Sequence, residues 1–169
     1  MKQFIYILFI SILLFGVSCT KDEECRKNRY VNMGVGLYHV SYNATTDTYS
    51  KSTLSIDSLT LRGINVDTLS GNETLVDSIL YNNKKSISKL VLPLNKLKNQ
   101  SKYLVQFNQV IDTITILYRK FDYYLSLECG CIKTFSIDTV LTTNNYIDSV
   151  RIINHDVNNN NEEHLQIYN

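Results

Sequence analysis

Asp112-Thr113-Ile114-Thr115-Ile116-Leu117-Tyr118-Arg119 decides the fold class. Ile114, Ile116 and Tyr118 recur at every second position, with Thr113, Thr115 and Arg119 between or beside them. A period of two sends alternate side chains to opposite faces of a strand, whereas a helix needs apolar residues three and four apart. Ile, Thr and Tyr are also strand formers.

The same grammar repeats outward in both directions. Candidate strands cover 30–42, 52–62, 74–81, 86–93, 102–108, 112–119, 121–128, 132–142, 147–154 and 164–168. Clusters rich in Asn, Asp, Gly, Ser and Thr break them at 43–47, 71–72, 82–85, 95–99, 143–145 and 156–163. Turn signals about ten residues apart predict an all-β fold, an antiparallel β-sandwich (immunoglobulin-like or related) of about 7–10 strands. Residues 94–100 read as one helical turn. Gly34-Val35-Gly36 inside the first strand predicts a bulge or a close backbone approach. No helix follows it, which excludes a phosphate cradle.

The N-terminus obeys a different rule. Met1-Lys2-Gln3 precedes an apolar run from Phe4 to Phe15, and Gly16-Val17-Ser18-Cys19 follows. One cation, a short apolar helix and small residues make the three-part export signal. The run falls short of the roughly 20 residues that span a bilayer. Gly16-Val17-Ser18-Cys19 resembles a bacterial lipobox, although Gly16 stands where most lipoboxes carry Leu. That resemblance implies cleavage after Ser18 and acylation of Cys19. Lys21-Asp22-Glu23-Glu24 then resembles the acidic export signal of Bacteroidota surface lipoproteins. The expected organisation is a signal peptide over 1–18, an acylated, acidic tether over 19–29, and one domain over 30–169. The expected address is the outer membrane, on the cell surface rather than its periplasmic face.

The chain has 169 residues with a formal charge of +1, and loss of Lys2 with the signal leaves the mature chain neutral. Neutrality without a basic block argues against nucleic acid, and leaves membrane attachment to the acyl chains. The composition includes 12 Tyr, no Trp and one Pro, Pro93. Of the four Cys, acylation occupies Cys19, leaving one pair and one odd thiol among Cys25, Cys129 and Cys131. Export favours a disulfide. The expected bond joins Cys25 to Cys129, with Cys131 spare. It would close a loop of about a hundred residues, for which chain entropy allows about 4.7 kcal/mol.

Asp-(Ser/Thr)-apolar triplets recur at Asp57-Ser58, Asp67-Thr68, Asp77-Ser78, Asp112-Thr113, Asp138-Thr139 and Asp148-Ser149. Two readings stand side by side. The Asp and the hydroxyl can cap a turn before a strand. The triplet also resembles the O-glycosylation acceptor of exported Bacteroidota proteins, which would make Ser58, Thr68, Ser78, Thr113, Thr139 and Ser149 candidate acceptors.

Residues read for chemistry yield to plainer roles. The segment 156–163 resembles a calcium loop only loosely, since Ile167 stands where a closing Glu belongs. His39, His155 and His164 share no metal spacing and read as surface or half-buried strand residues. No catalytic residue, metal ligand or cofactor is nominated. Tyr123-Tyr124 directs one ring to each face of a strand; core packing outweighs sugar stacking as their expected role.

In order, the lipobox, Cys25, Tyr38, Leu59-Thr60-Leu61-Arg62-Gly63, Leu90-Val91-Leu92-Pro93-Leu94, Asp112–Tyr118, Cys129-Gly130 and Ile152-Ile153-Asn154 resemble an uncharacterised Bacteroidota lipoprotein family, known only as a domain of unknown function. That family's pattern has one Cys after the tether and one before the Gly. The resemblance therefore implies roles for Cys25 and Cys129 and leaves Cys131 outside the pattern. It brings no activity. The expected function is a non-enzymatic binding or assembly module held at the outer membrane by acyl chains. An outer-membrane barrel protein or a glycan would be its partner. A surface glycan-binding protein and a hydrolase with an unrecognised site are the alternatives.

Overall fold

The computed structural model of the protein describes residues 25, 29–66, 73–127 and 129–169. The signal segment, Cys19, the acidic tether, Thr68 and the break at 71–72 lie outside the described residues. The chain divides into two units, Met1–Tyr30 and Val31–Asn169, and the eleven described strands all belong to the second.

Alternation builds both sheets. β1 (Asn32–Asn43) pairs with β2 (Thr48–Thr53) through its second half and with β5 (Lys89–Pro93) through its first. Its other edge pairs with β11 (Glu163–Tyr168), which in turn pairs with β9 (Ser149–Ile152). The second sheet runs β10 (Asp156–Val157), β8 (Gly130–Thr142), β7 (Val110–Ser126), β6 (Gln100–Phe107), β3 (Leu59–Val66) and β4 (Glu73–Lys84). Strict alternation along β6 buries Ser101, Tyr103, Val105 and Phe107. In β7 it buries Asp112, Ile114, Ile116 and Tyr118. The apolar and aromatic ones among them share one core cluster with Met33, Leu37, Leu165 and Ile167 of the five-stranded sheet. Each such aliphatic or aromatic side chain contributes roughly 1.5–3 kcal/mol by leaving water. The result is the expected all-β sandwich.

Four details depart from the sequence-based expectation. Among the described residues there are eleven strands, and β1 and β11 run parallel where an antiparallel sandwich was expected. The expected strand over 52–62 is two strands in different sheets. Leu54 and Ile56 bury even-numbered positions while Leu59 and Leu61 bury odd ones, so the phase flips at Asp57-Ser58 and the chain changes sheets there. The expected strands 112–119 and 121–128 are one 17-residue strand, because nothing at Arg119-Lys120 breaks pairing with β8. Residues 94–100 contain no helical turn. The Asn95 side chain instead accepts the N–H groups of Leu97 and Lys98 at 2.8 and 3.2 Å.

The opening octapeptide holds a buried anion. Asp112 is 0% exposed, and its two oxygens accept the Thr143 hydroxyl and the N–H groups of Asn145, Tyr146 and Ile147 at 2.6–3.0 Å. Burial alone would raise its pKa, but these four donors outweigh it and hold the carboxyl below its usual range. The carboxylate thereby fixes the connection between β8 and β9.

Gly34 and Gly36 fulfil the expected close approach. The β1–β11 register shifts at Gly34/Val35. A Cβ on Gly34 would meet the Glu162 carbonyl oxygen, and one on Gly36 the Glu163 carboxylate and the Tyr38 ring. His164 is 0% exposed at this bulge, contrary to the expected surface or half-buried position, and its Nδ1 accepts the Gly34 N–H.

Candidate functional site

The outward face of the five-stranded sheet carries a cluster of aromatic and polar side chains. Residues directly opposite across neighbouring strands share a face. Register therefore places Tyr38, opposite Thr53 and Tyr168, with Val40 opposite Lys51 and Tyr42 opposite Tyr49. On the far side, Gln166 lies opposite Arg151 and Tyr168 opposite Ser149. Gly36 lies opposite Gln166 and Lys89, and the Glu163 carboxylate and the Tyr38 ring close over it in the place of a side chain.

These groups hold one another in place. Lys51 Nζ lies 3.7 Å from the Tyr38 ring centroid and 5.4 Å from that of Tyr168, and donates to Gln166 Oε1 at 2.7 Å. The Tyr168 hydroxyl donates to the same oxygen at 2.6 Å. The Tyr38 hydroxyl donates to the Glu163 carboxylate at 2.9 and 3.1 Å. That hydrogen bond, then burial and the Glu163 charge, raise the Tyr38 pKa, so the phenol stays a donor. Tyr42 and Tyr49 form a tilted pair with centroids 5.0 Å apart, exposed by 53% and 76%. A groove of about 490 Å³ runs alongside, lined by Tyr49, Lys51, Ser149, Arg151 and Tyr168.

Chemically the face offers flat rings with positive edges, two cations, the carboxylates of Glu163 and Asp148, an amide and hydroxyls. Rings of this kind stack on apolar faces of ligands while the polar groups hydrogen-bond at the rim. Sequence reading missed it because its members are spread over β1, β2, β9 and β11. One signal was available: Tyr42 and Tyr49 flank the 43–47 turn, and a hairpin there brings them opposite each other.

The structure scatters the residues singled out from sequence. Cys25 and Cys129 are disulfide-bonded, and Cys131 is free and exposed. Gly130 between them has a φ of 69°, which interrupts the strand alternation at that point. Ser78, Thr139 and Ser149 are exposed, whereas Ser58 and Thr113 are half-buried and the Ser58 hydroxyl donates to Asn83 at 2.6 Å. Tyr123 and Tyr124 are each 55% exposed, so neither packs in the core as expected; they stand on a part of β7 that has outrun its pairing with β6.

The three histidines each engage local backbone. His39 Nδ1 lies 2.6 Å from the Asn169 carbonyl oxygen, His155 Nδ1 lies 2.5 Å from that of Ile137, and His164 Nδ1 accepts the Gly34 N–H. In the 156–163 segment Glu162 accepts the Asn154 side-chain amide at 2.9 Å. Among the described residues no group of three or more His, Cys, Asp or Glu converges on a metal-sized site.

A sequence model described as a family of unknown function, DUF6452, matches residues 68–169, which span β4 to β11. No curated protein and no solved structure matches the chain.

Proposed function

The chain belongs to the DUF6452 family, whose function is unknown, and from that premise we propose a non-enzymatic, lipid-anchored binding module of the bacterial outer membrane that holds glycan on the outward face of its five-stranded sheet. The observation that carries the reading is the Tyr42–Tyr49 pair standing exposed beside the Lys51–Gln166–Tyr168 network. Sugar rings have apolar faces that stack on tyrosine and hydroxyls that need donors and acceptors at fixed positions. Cross-strand pairing supplies both on a rigid sheet.

The anchor rests on the lipobox-like Gly16-Val17-Ser18-Cys19, with Cys19 acylated and the acidic Lys21-Asp22-Glu23-Glu24 directing display on the cell surface. Bonded Cys25 and Cys129 suit an exported protein, because disulfides persist outside the reducing cytoplasm. We assign them to one another.

Binding of the purified protein to a panel of bacterial and host glycans tests the face. Tyr49→Ala should weaken the best ligand about tenfold, equivalent to a ring contact of about 1.4 kcal/mol. Tyr123→Ala and Tyr124→Ala, on the other sheet, should leave it unchanged. Absence of any glycan ligand, or indifference to Tyr49→Ala, would overturn the glycan assignment.

A further inference from the structure

The far end of the β7–β8 hairpin is apolar where solvent would ordinarily demand polarity. Phe121 is 49% exposed, Tyr123 and Tyr124 are 55% exposed, and Leu127 is 95% exposed. Their strand has left β6 behind: β6 pairs with residues 110–117 of β7, whereas β8 continues to pair as far as Ser126. The nearby charges Asp122 and Lys133 are bridged to each other at 2.6 Å. Residues 121–133 thus offer three rings and Leu127 with a formal charge of −1, from Glu128.

Chain length says what covers it. Cys25 is the sixth residue after Cys19, and six extended residues reach at most about 20 Å. A disulfide brings its two Cα atoms within about 4.4–6.8 Å. Cys129 lies two residues beyond Leu127. If Cys19 carries the acyl chains and Cys25 is bonded to Cys129, Leu127 cannot leave the neighbourhood of the headgroups.

We infer that the β7–β8 hairpin end is a membrane-contact element, which seats Leu127, Tyr123 and Phe121 in the lipid interface of the bilayer that holds the anchor. This rests on the lipid-anchor reading and adds a second, non-covalent contact to it. Tyrosine and phenylalanine suit that zone because a ring lies among the acyl chains while a hydroxyl remains at headgroup level. The contact is apolar rather than ionic, so it holds on zwitterionic lipid and at high salt. It also sets orientation, since a domain pinned at one hairpin as well as at its tether cannot swing freely.

The lack of Trp in the chain makes the test direct. The acylated full-length protein carrying Leu127→Trp is reconstituted into phosphatidylcholine vesicles containing acyl-brominated phosphatidylcholine. Its emission should shift to the blue and be quenched by the bromines, while Tyr49→Trp in a parallel sample should stay unquenched. Protein that floats with the vesicles yet shows no quenching at position 127 would overturn the membrane contact and leave the anchor standing. Equal quenching at 49 and 127 would overturn it too, as would a photo-crosslinker at position 127 that captures protein rather than lipid in intact cells. Protein that carries no acyl mass and does not float would remove the anchor reading, and this inference with it.

Discussion

The backbone N–H of Gly34 donates to Nδ1 of His164 at 3.0 Å, so an imidazole ring completes the β1 ladder at the bulge where a carbonyl ordinarily would. An accepting Nδ1 assigns the proton to Nε2, which is buried without a hydrogen-bond partner among the described residues. Protonation of Nδ1 would set two N–H groups against each other.

Acid should therefore loosen the fold through this ring. Burial lowers the His164 pKa, and the Asp156 and Glu162 carbonyls and the Glu162 charge oppose it without reversing it. The unfolded chain, with an ordinary value of 6.5, then binds the proton more tightly than the native one. Stability is complete above the unfolded value and falls as pH drops from there toward the lowered folded one. Thermal melts should show Tm rising with pH across that window, and His164→Gln should flatten the slope.

Asp112→Asn should destabilise the domain by about 1–3 kcal/mol, because even with its oxygen toward Tyr146 and Ile147 its NH₂ would face the Asn145 N–H that the carboxylate now satisfies. Wild-type protein should also lose stability as pH falls below about 3.8 toward the lowered folded pKa of this carboxyl, and the variant should lose less over that range. Urea denaturation at neutral and acidic pH measures both.

The two glycines separate stability from binding. Gly34→Ala drives a methyl into the backbone of Glu162 and should cost about 1–3 kcal/mol. Gly36→Ala meets the movable side chains of Glu163 and Tyr38, so it should cost less stability. By displacing the binding network, it should cost more glycan affinity than Gly34→Ala at equal folded fraction. Denaturation midpoints and binding titrations on the same preparations compare them.

Alkylation of the unreduced, folded protein should label Cys131 and leave Cys25 and Cys129 untouched until a reductant is added. A disulfide-linked peptide containing Cys25 and Cys129, found by mass spectrometry, checks the pairing. Cys129→Ser should lower stability by up to about 4.7 kcal/mol. Acyl labelling in cells should vanish in Cys19→Ala.

Intact-mass measurement of the exported protein decides between the two readings of the Asp-(Ser/Thr)-apolar triplets. If glycans are attached, peptide mapping should find them at exposed Ser78, Thr139 or Ser149 rather than at half-buried Ser58 and Thr113. Asp112-Thr113 already has its structural use, since its carboxylate is committed to four donors. A mass equal to polypeptide plus lipid would leave all six triplets as turn and strand chemistry.

Fold class was legible in the sequence because alternation is local: Ile114, Ile116 and Tyr118 declare a buried face without reference to any other strand. The same locality made the Gly34-Val35-Gly36 bulge readable, whereas the spare Cys131 followed from counting cysteines and from the family resemblance. Pairing order, the parallel β1–β11 ladder and the sheet change at Asp57-Ser58 depended on contacts between distant residues, which no single window contains. His164 had no sequence signal for burial, because the backbone N–H that its ring accepts belongs to Gly34, 130 residues away. Tyr123 and Tyr124 read as core for the complementary reason. Alternation continues through this part of β7, yet both rings are 55% exposed on a stretch beyond the residues that β6 pairs with. The amino-acid sequence by itself determined that this chain forms strands and which side chains can face a core. Tertiary structure alone decided which of those faces found a partner sheet, because burial is a property of what lies opposite.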